Sequence, residues 1–159
     1  MNKAIILDRD GVINRERGGY TWKQEDFVLT PGIIPFLQAA RDKGYIFIVV
    51  TNQGGIARGM FTAAEVEQVH EYMRSLLRQG GIELQEIYYC PHSNRLERCL
   101  CRKPGSLMLE KAIARFRIDV GHSFFIGDHE RDQQAGEAAG IPFVRIEPNE
   151  DLMHYVDIL

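Results

Sequence analysis

Apolar residues along this chain follow two different periods. Short runs rich in apolar residues, Ala4–Leu7, Ile46–Thr51, Glu86–Cys90, Ser123–Gly127 and Pro142–Ile146, have strand length. Between them, apolar positions recur at helical spacing: Ile33, Phe36, Leu37 and Ala40, then Val66, Val69, Met73, Leu76 and Leu77, then Leu109, Ala112, Ile113 and Phe116. A fourth helix is rich in small residues, through Ala135, Ala138 and Ala139 to Gly140. Strands alternating with helices predict an α/β fold with a parallel, doubly wound sheet. Local signals mark the helix ends. Thr30 is read as an N-cap with Pro31 in the first position, and Pro35 falls in the first turn. Gly44 stops that helix. Thr62 to Glu65 reads as a capping box, Gly80-Gly81 is read as the end of the second helix, and Pro104 as the start of the third. The stretch from Gly11 to Trp22 is polar and irregular and reads as a loop. Tyr20 and Trp22 in it can line a pocket or simply pack beneath the loop.

Strands of such sheets deliver ligand-handling groups at their carboxyl ends. The first ends in Asp8-Arg-Asp10-Gly11. Two carboxylates this close repel unless a cation joins them or one holds a proton. A solvated turn would also place Asp and Gly here. The second strand runs into Thr51-Asn52-Gln53-Gly54-Gly55, where close-set glycines let backbone N–H groups converge on an anion. A flexible turn is the plain alternative. The fourth strand ends in Asp128, with Asp132 four residues on. One edge of a parallel sheet would then carry Asp8, Asp10, Thr51, Asn52, Asp128 and Asp132, with Lys103 nearby. Acids for a hard cation, amides and a lysine for phosphoryl oxygens, and a carboxylate nucleophile form a phosphoryl-transfer inventory.

All three cysteines lie between positions 90 and 101, in Cys90-Pro-His92 and Cys99-Leu-Cys101. Three sulfurs and one imidazole make a closed tetrahedral zinc set, with unliganded thiols as the alternative. A closed set leaves no position for water, so its expected role is to shape the loop. Arg102 and Lys103 follow directly, so that loop would aim them, with a solvated pair as the alternative. The 159 residues suggest one domain, 1–159, with room for a real core. A net charge of -3 gives no reason to expect a nucleic-acid or membrane partner. No apolar run has bilayer-spanning length and no signal-peptide pattern is visible, so a cytoplasmic protein is expected.

Asp8-Arg-Asp10-Gly, Thr51-Asn-Gln, Arg102-Lys103-Pro and Gly127-Asp128 with Asp132 resemble, in order, the four motifs of the haloacid dehalogenase (HAD) phosphatase superfamily. With the Cys/His loop, the chain resembles two zinc-containing, capless families, the heptose 1,7-bisphosphate 7-phosphatases and the histidinol-phosphate phosphatases. The resemblance implies a three-layer HAD-like Rossmannoid fold without a cap domain. It implies Asp8 as nucleophile, Asp10 as general acid and base, and Lys103 as the cation that neutralises the phosphoryl group. Mg²⁺ would be held by Asp8, the Asp10 main-chain carbonyl and Asp128, with Asp132 supporting its waters. Thr51, Asn52, Gln53, Gly54, Tyr20, Arg58 and Arg102 would contact the substrate. Zn²⁺ on Cys90, His92, Cys99 and Cys101 would be structural.

The first loop and Gly55-Ile-Ala-Arg-Gly59 resemble the heptose family, which points to removal of the 7-phosphate of D-glycero-D-manno-heptose 1,7-bisphosphate in lipopolysaccharide precursor synthesis. The short stretch between His92 and Cys99 is closer to the histidinol family, so histidinol phosphate or another small sugar phosphate is the alternative. A non-catalytic zinc-stabilised scaffold would be expected to lack the nucleophile or a metal acid, and neither is missing here. A monomer acting on a small phosphorylated metabolite is expected.

Overall fold

A computed structural model describes residues 1–159. Five strands, β1 (Ala4–Leu7), β2 (Ile46–Asn52), β3 (Leu84–Cys90), β4 (Phe124–Gly127) and β5 (Phe143–Arg145), form one sheet in the order β3-β2-β1-β4-β5. Every neighbouring pair is parallel. Four helices connect or flank them: α1 (Ile33–Asp42), α2 (Ala63–Gln79), α3 (Leu107–Arg115) and α4 (Glu130–Ala139).

Side chains of a strand alternate between faces, and both faces here are covered. Ile5, Leu7, Phe47 and Val49 pack with Phe36 and Leu37 of α1 and with Val69, Met73 and Leu77 of α2. Ala4, Ile6, Ile48 and Val50 pack on the other face with Met108, Leu109 and Ala112 of α3 and Ala135 of α4. The result is three layers, as expected. Burial on both sides explains why β1 reads as an unbroken apolar run and not as an alternation. Going outward from β1, the chain builds β2 and β3 on one side and β4 and β5 on the other. The reversal lies between β1 and β4, and the crevice at their carboxyl ends is where such sheets bind ligands.

Several sequence expectations are corrected. Thr30 does not cap α1. Its hydroxyl donates to the Val12 carbonyl at 2.5 Å, and Gly32, with φ 73°, takes the cap position. Pro31 therefore lies ahead of the helix, which begins at Ile33. Helix α3 begins at Leu107, not at Pro104. The Asn52 amide accepts from the Lys103 N–H and donates to the Lys103 carbonyl, both at 3.0 Å, so this stretch is pinned to β2 before the helix can start. Strand β3 begins two residues earlier than its apolar run, because Leu84 pairs with Phe47 ahead of a register irregularity. The loop after Asp10 is not wholly polar in its surroundings: Val12 and Ile13 are buried in the core. The tail forms a 3₁₀ segment, Leu152–Ile158, packed on α1. No helix is long and apolar enough to cross a membrane.

Candidate active site

The turn after β1 is wound tightly. The Arg9 carbonyl accepts from the N–H groups of Val12, Ile13 and Asn14. Gly11 sits there with φ 86°, and a Cβ at this position would overlap the Asp128 carboxylate. Only glycine allows both the backbone conformation and the close approach of the β4 end. That approach brings Asp8, Asp128 and Asp132 together, with one carboxylate oxygen of each inside 4.8 Å of the others.

Lys103 Nζ lies among them. It donates to Asp8 Oδ1 and to the Val50 carbonyl, both at 2.9 Å, and pairs with Asp132 Oδ1 at 2.6 Å. Asp8 Oδ1 also accepts from the Arg9 N–H, while its second oxygen takes no hydrogen bond from the protein. Burial pushes the Asp8 carboxyl up to about 7, opposed by Lys103 and reinforced by Asp132 and Asp128. Burial, and then Asp132, raises Asp128 to about 6. Three carboxylates facing one ammonium leave excess negative charge in an all-oxygen donor set. That chemistry fits Mg²⁺, a hard cation that takes oxygen ligands.

A dependence on pH follows. Carboxyls raised in the folded state bind protons more tightly there than in the unfolded chain. Their contribution to stability is complete below about pH 4 and is lost as pH rises through about 6 to 7. A divalent cation can replace the proton. The unfolding-temperature gain from millimolar Mg²⁺ should therefore be near zero at pH 5 and about 5–10 °C at pH 8. Thermal melts at the two pH values test this, and a gain independent of pH would refute it.

Asp10 is oriented by its own set of partners. Its Oδ1 accepts from Arg9 Nε (3.2 Å), Arg9 Nη2 (2.8 Å) and Asn14 Nδ2 (2.9 Å). Its Oδ2 accepts from Gln53 Nε2 alone, at 3.1 Å. Burial would raise this carboxyl, but the Arg9 guanidinium and the hydrogen bonds outweigh it and hold it below the ordinary carboxylate range.

The cavity over these groups has a volume of about 490 Å³. The buried or half-buried Asp8, Asp10, Thr51, Asn52, Lys103 and Asp128 line it together with the exposed Tyr20 and Arg58. Tyr20 and Arg58 are shared with a second recess, of about 230 Å³, which adds Gly54, Arg95 and Arg102. Arg58 donates to the Tyr20 hydroxyl at 3.0 Å, and Arg102 donates to the His92 carbonyl at 3.2 Å. A polar recess with three guanidinium groups, one cavity away from the acids, suits a second anionic group.

The cysteines and His92 converge. Cys101 Sγ lies 3.0 Å from Cys90 Sγ and 3.2 Å from His92 Nδ1, and Cys99 Sγ lies 3.7 Å from Cys90 Sγ. These separations are too long for a disulfide. They approach the edge of roughly 3.7 Å that a tetrahedron with Zn–S bonds of about 2.3 Å would have. The donor set and its spacing therefore fit zinc.

The family model for polynucleotide kinase 3 phosphatases matches residues 3–141. Over 146 residues the chain is 40% identical to the D-glycero-alpha-D-manno-heptose-1,7-bisphosphate 7-phosphatase of Photorhabdus laumondii, covering 88% of this chain and 79% of that protein. Over 136 residues it is 43% identical to the D-glycero-beta-D-manno-heptose-1,7-bisphosphate 7-phosphatase of Helicobacter pylori, covering 85% of this chain and 77% of that protein. The chain belongs to the HAD-type heptose-bisphosphate phosphatase family. A crystal structure of a family member, the D,D-heptose 1,7-bisphosphate phosphatase from B. bronchiseptica complexed with magnesium and phosphate, matches with TM-score 0.83 at 33% identity. The match covers 89% of this chain and 78% of that one.

Within this phosphatase fold, some residues singled out by sequence do other work than expected. The Gln53 side chain is buried and turned toward Asp10 and the Thr51 hydroxyl, outside the cavity wall. Asn52 lines the cavity as expected, but its amide also accepts from the Lys103 N–H and donates to the Lys103 carbonyl. Asp132, besides meeting Lys103, accepts at Oδ2 from the N–H of His129, which caps α4 by accepting from the Arg131 N–H. Trp22 stacks on Phe61 with centroids 6.1 Å apart, away from the main cavity. Sequence reasoning missed Arg9, His70, Glu16 and Arg131. The last two line the main cavity, and nothing local in the sequence marks either.

Proposed function

We propose that this phosphatase removes the 7-phosphate of D-glycero-D-manno-heptose 1,7-bisphosphate through an aspartyl-phosphate on Asp8. The observation that carries the reading is the pairing of two sites: the Asp8–Lys103–Asp128 pocket and the arginine recess that opens beside it. A substrate with a phosphate at each end needs both. The relatives' activities support this substrate over histidinol phosphate, which has one phosphate.

In the first step an Asp8 oxygen bonds to phosphorus as the bond to the sugar oxygen breaks. Asp10 gives its proton to that departing oxygen. In the second step Asp10, now a carboxylate, takes a proton from water as the water attacks phosphorus, and the Asp8–phosphorus bond breaks to release inorganic phosphate. Arg9 holds the free Asp10 carboxyl ionised, and an arriving phosphate dianion pushes it back toward the proton-bearing form. Lys103 faces the phosphoryl oxygens with its position set by Asn52, Asp132 and Val50. Asp8, the Asp10 main-chain carbonyl and Asp128 would hold Mg²⁺, which when bound offsets charge on the phosphoryl oxygens. Asp132 acts behind them, through Lys103. Cys90, His92, Cys99 and Cys101 would hold a structural Zn²⁺ that shapes the loop carrying Arg102. The reading includes a monomeric, single-domain cytoplasmic enzyme working on a small metabolite, with neither nucleic acid nor membrane as partner. The net charge of -3 supports the last point.

The test is phosphate release with Mg²⁺, comparing kcat/KM for the bisphosphate and for histidinol phosphate. The bisphosphate should be preferred by about 100-fold or more, since the recess pairs with a group only it carries. Arg58→Ala and Arg102→Ala should each raise KM for the bisphosphate by about 10-fold, a typical loss for one charged contact. A preference for histidinol phosphate would overturn the substrate assignment.

A further inference from the structure

His70 is a buried group to which the chemistry above gives no role, and it meets Arg9, the residue that holds Asp10. Arg9 is fully buried. Besides its two contacts to Asp10 Oδ1, its Nη2 donates to the Thr21 carbonyl at 2.7 Å and its Nη1 lies 3.1 Å from His70 Nε2. A guanidinium can only donate, so His70 Nε2 must accept. The imidazole is therefore neutral, with its proton on Nδ1. Burial, and then the Arg9 charge, push its pKa down to about 3, which agrees. His70 lies on α2 and packs edge-on against Tyr89 of β3, with centroids 5.6 Å apart. Its ring is thus fixed from two elements that carry no other part of the acid–base machinery.

We propose that His70 is a positioning residue for Asp10, acting through Arg9. The imidazole holds one end of the guanidinium, and the Thr21 carbonyl holds another. Nε and the second N–H of Nη2 then occupy Asp10 Oδ1 together with Asn14. That leaves Oδ2, with its single contact to Gln53, as the oxygen that passes the proton. Without the His70 acceptor, Arg9 has an unpaired buried donor and can swing away, and the carboxyl can rotate. The inference rests on the reading of Asp10 as general acid and base.

The experiment compares wild type, Asp10→Asn, His70→Leu, His70→Gln and His70→Asn on two substrates with Mg²⁺. One is heptose 1,7-bisphosphate, whose sugar oxygen needs a proton to leave. The other is p-nitrophenyl phosphate, whose leaving group does not. His70→Leu should lower kcat on the bisphosphate by about 10–100-fold with KM within about 3-fold, a part of the 10²–10⁴ that a positioned acid–base group supplies. On p-nitrophenyl phosphate the first step should survive and the water step should slow. Rapid mixing should then show a burst of nearly one nitrophenolate per enzyme before slow turnover. Gln places an amide oxygen near the Nε2 position and should restore kcat to within a few-fold of wild type. Asn, one carbon shorter, should not. The Gln and Asn pair keeps the test valid if His70→Leu fails to fold. Equal kcat for the Gln and Asn variants, or a loss confined to KM, would overturn the role of His70. Near wild-type turnover by Asp10→Asn would instead overturn the reading of Asp10 itself.

Discussion

Asp8→Asn will lower kcat for phosphate release by about 10⁴-fold or more, the scale on which removing a covalent nucleophile acts. Asn matches Asp in shape and keeps an oxygen to accept from Lys103 Nζ and the Arg9 N–H, which now lie 2.9 and 2.8 Å away. The pocket should therefore stay formed. Burial already makes the Asp8 charge unfavourable, lifting its pKa to about 7, so without metal the variant should melt at or above the wild-type temperature at pH 8. Steady-state kinetics and thermal melts on the same preparation check both parts. A kcat within 10-fold of wild type would mean that another group attacks phosphorus. A lost fold would mean that the Asp8–Lys103 pair is needed for assembly.

The second large effect belongs to the cysteine loop. Cys101→Ser should reduce bound zinc from one per chain to none and lower the melting temperature by 10 °C or more, since structural zinc binding and folding are one process worth roughly 10 kcal/mol. Asn52 pins the Lys103 end of this loop to β2, and the part before it has few other anchors. Residues 91 to 106 contain no helix or strand, and Leu96 and Leu100 point into solvent. Cys101 stands at the centre of the cluster, within 3.2 Å of two other donors. Arg102 and Lys103 come next, so kcat should fall as well. Elemental analysis and melting curves decide the matter. One zinc retained at full stability would refute the ligand set, and treatment of wild type with a strong chelator should reproduce the variant.

Much of this was legible from the chain alone, for identifiable reasons. Ala4–Leu7 reads as a buried strand because both faces of the sheet are covered, which leaves no polar position in β1. Asp8, Asp10 and Asp128 read as a site because parallel strands send their carboxyl ends to one edge. The Cys/His loop reads as a cluster because its four ligands fall within twelve residues of sequence.

Other features had no local signal. Thr30 has the chemistry of a cap, but a carbonyl eighteen residues away, on Val12, competes for its hydroxyl. Asn52 has the chemistry of a phosphate ligand, and nothing near it in sequence shows that its amide also holds the Lys103 backbone. Arg9 looks like a spacer between two acids, and His70 looks like one more polar residue on an amphipathic helix. They become a pair only because α2 packs over the β1 turn, across 61 positions.

The sequence by itself determined the order of elements, the acids at the strand ends and the zinc-type ligand set, because these depend on residue type and short spacing. The tertiary structure alone decided which oxygen of Asp10 stays available, what fixes Lys103 and where the arginine recess opens. Those are outcomes of competition among donors and acceptors distant in sequence, and folding settles that competition by what it brings within about 3 Å.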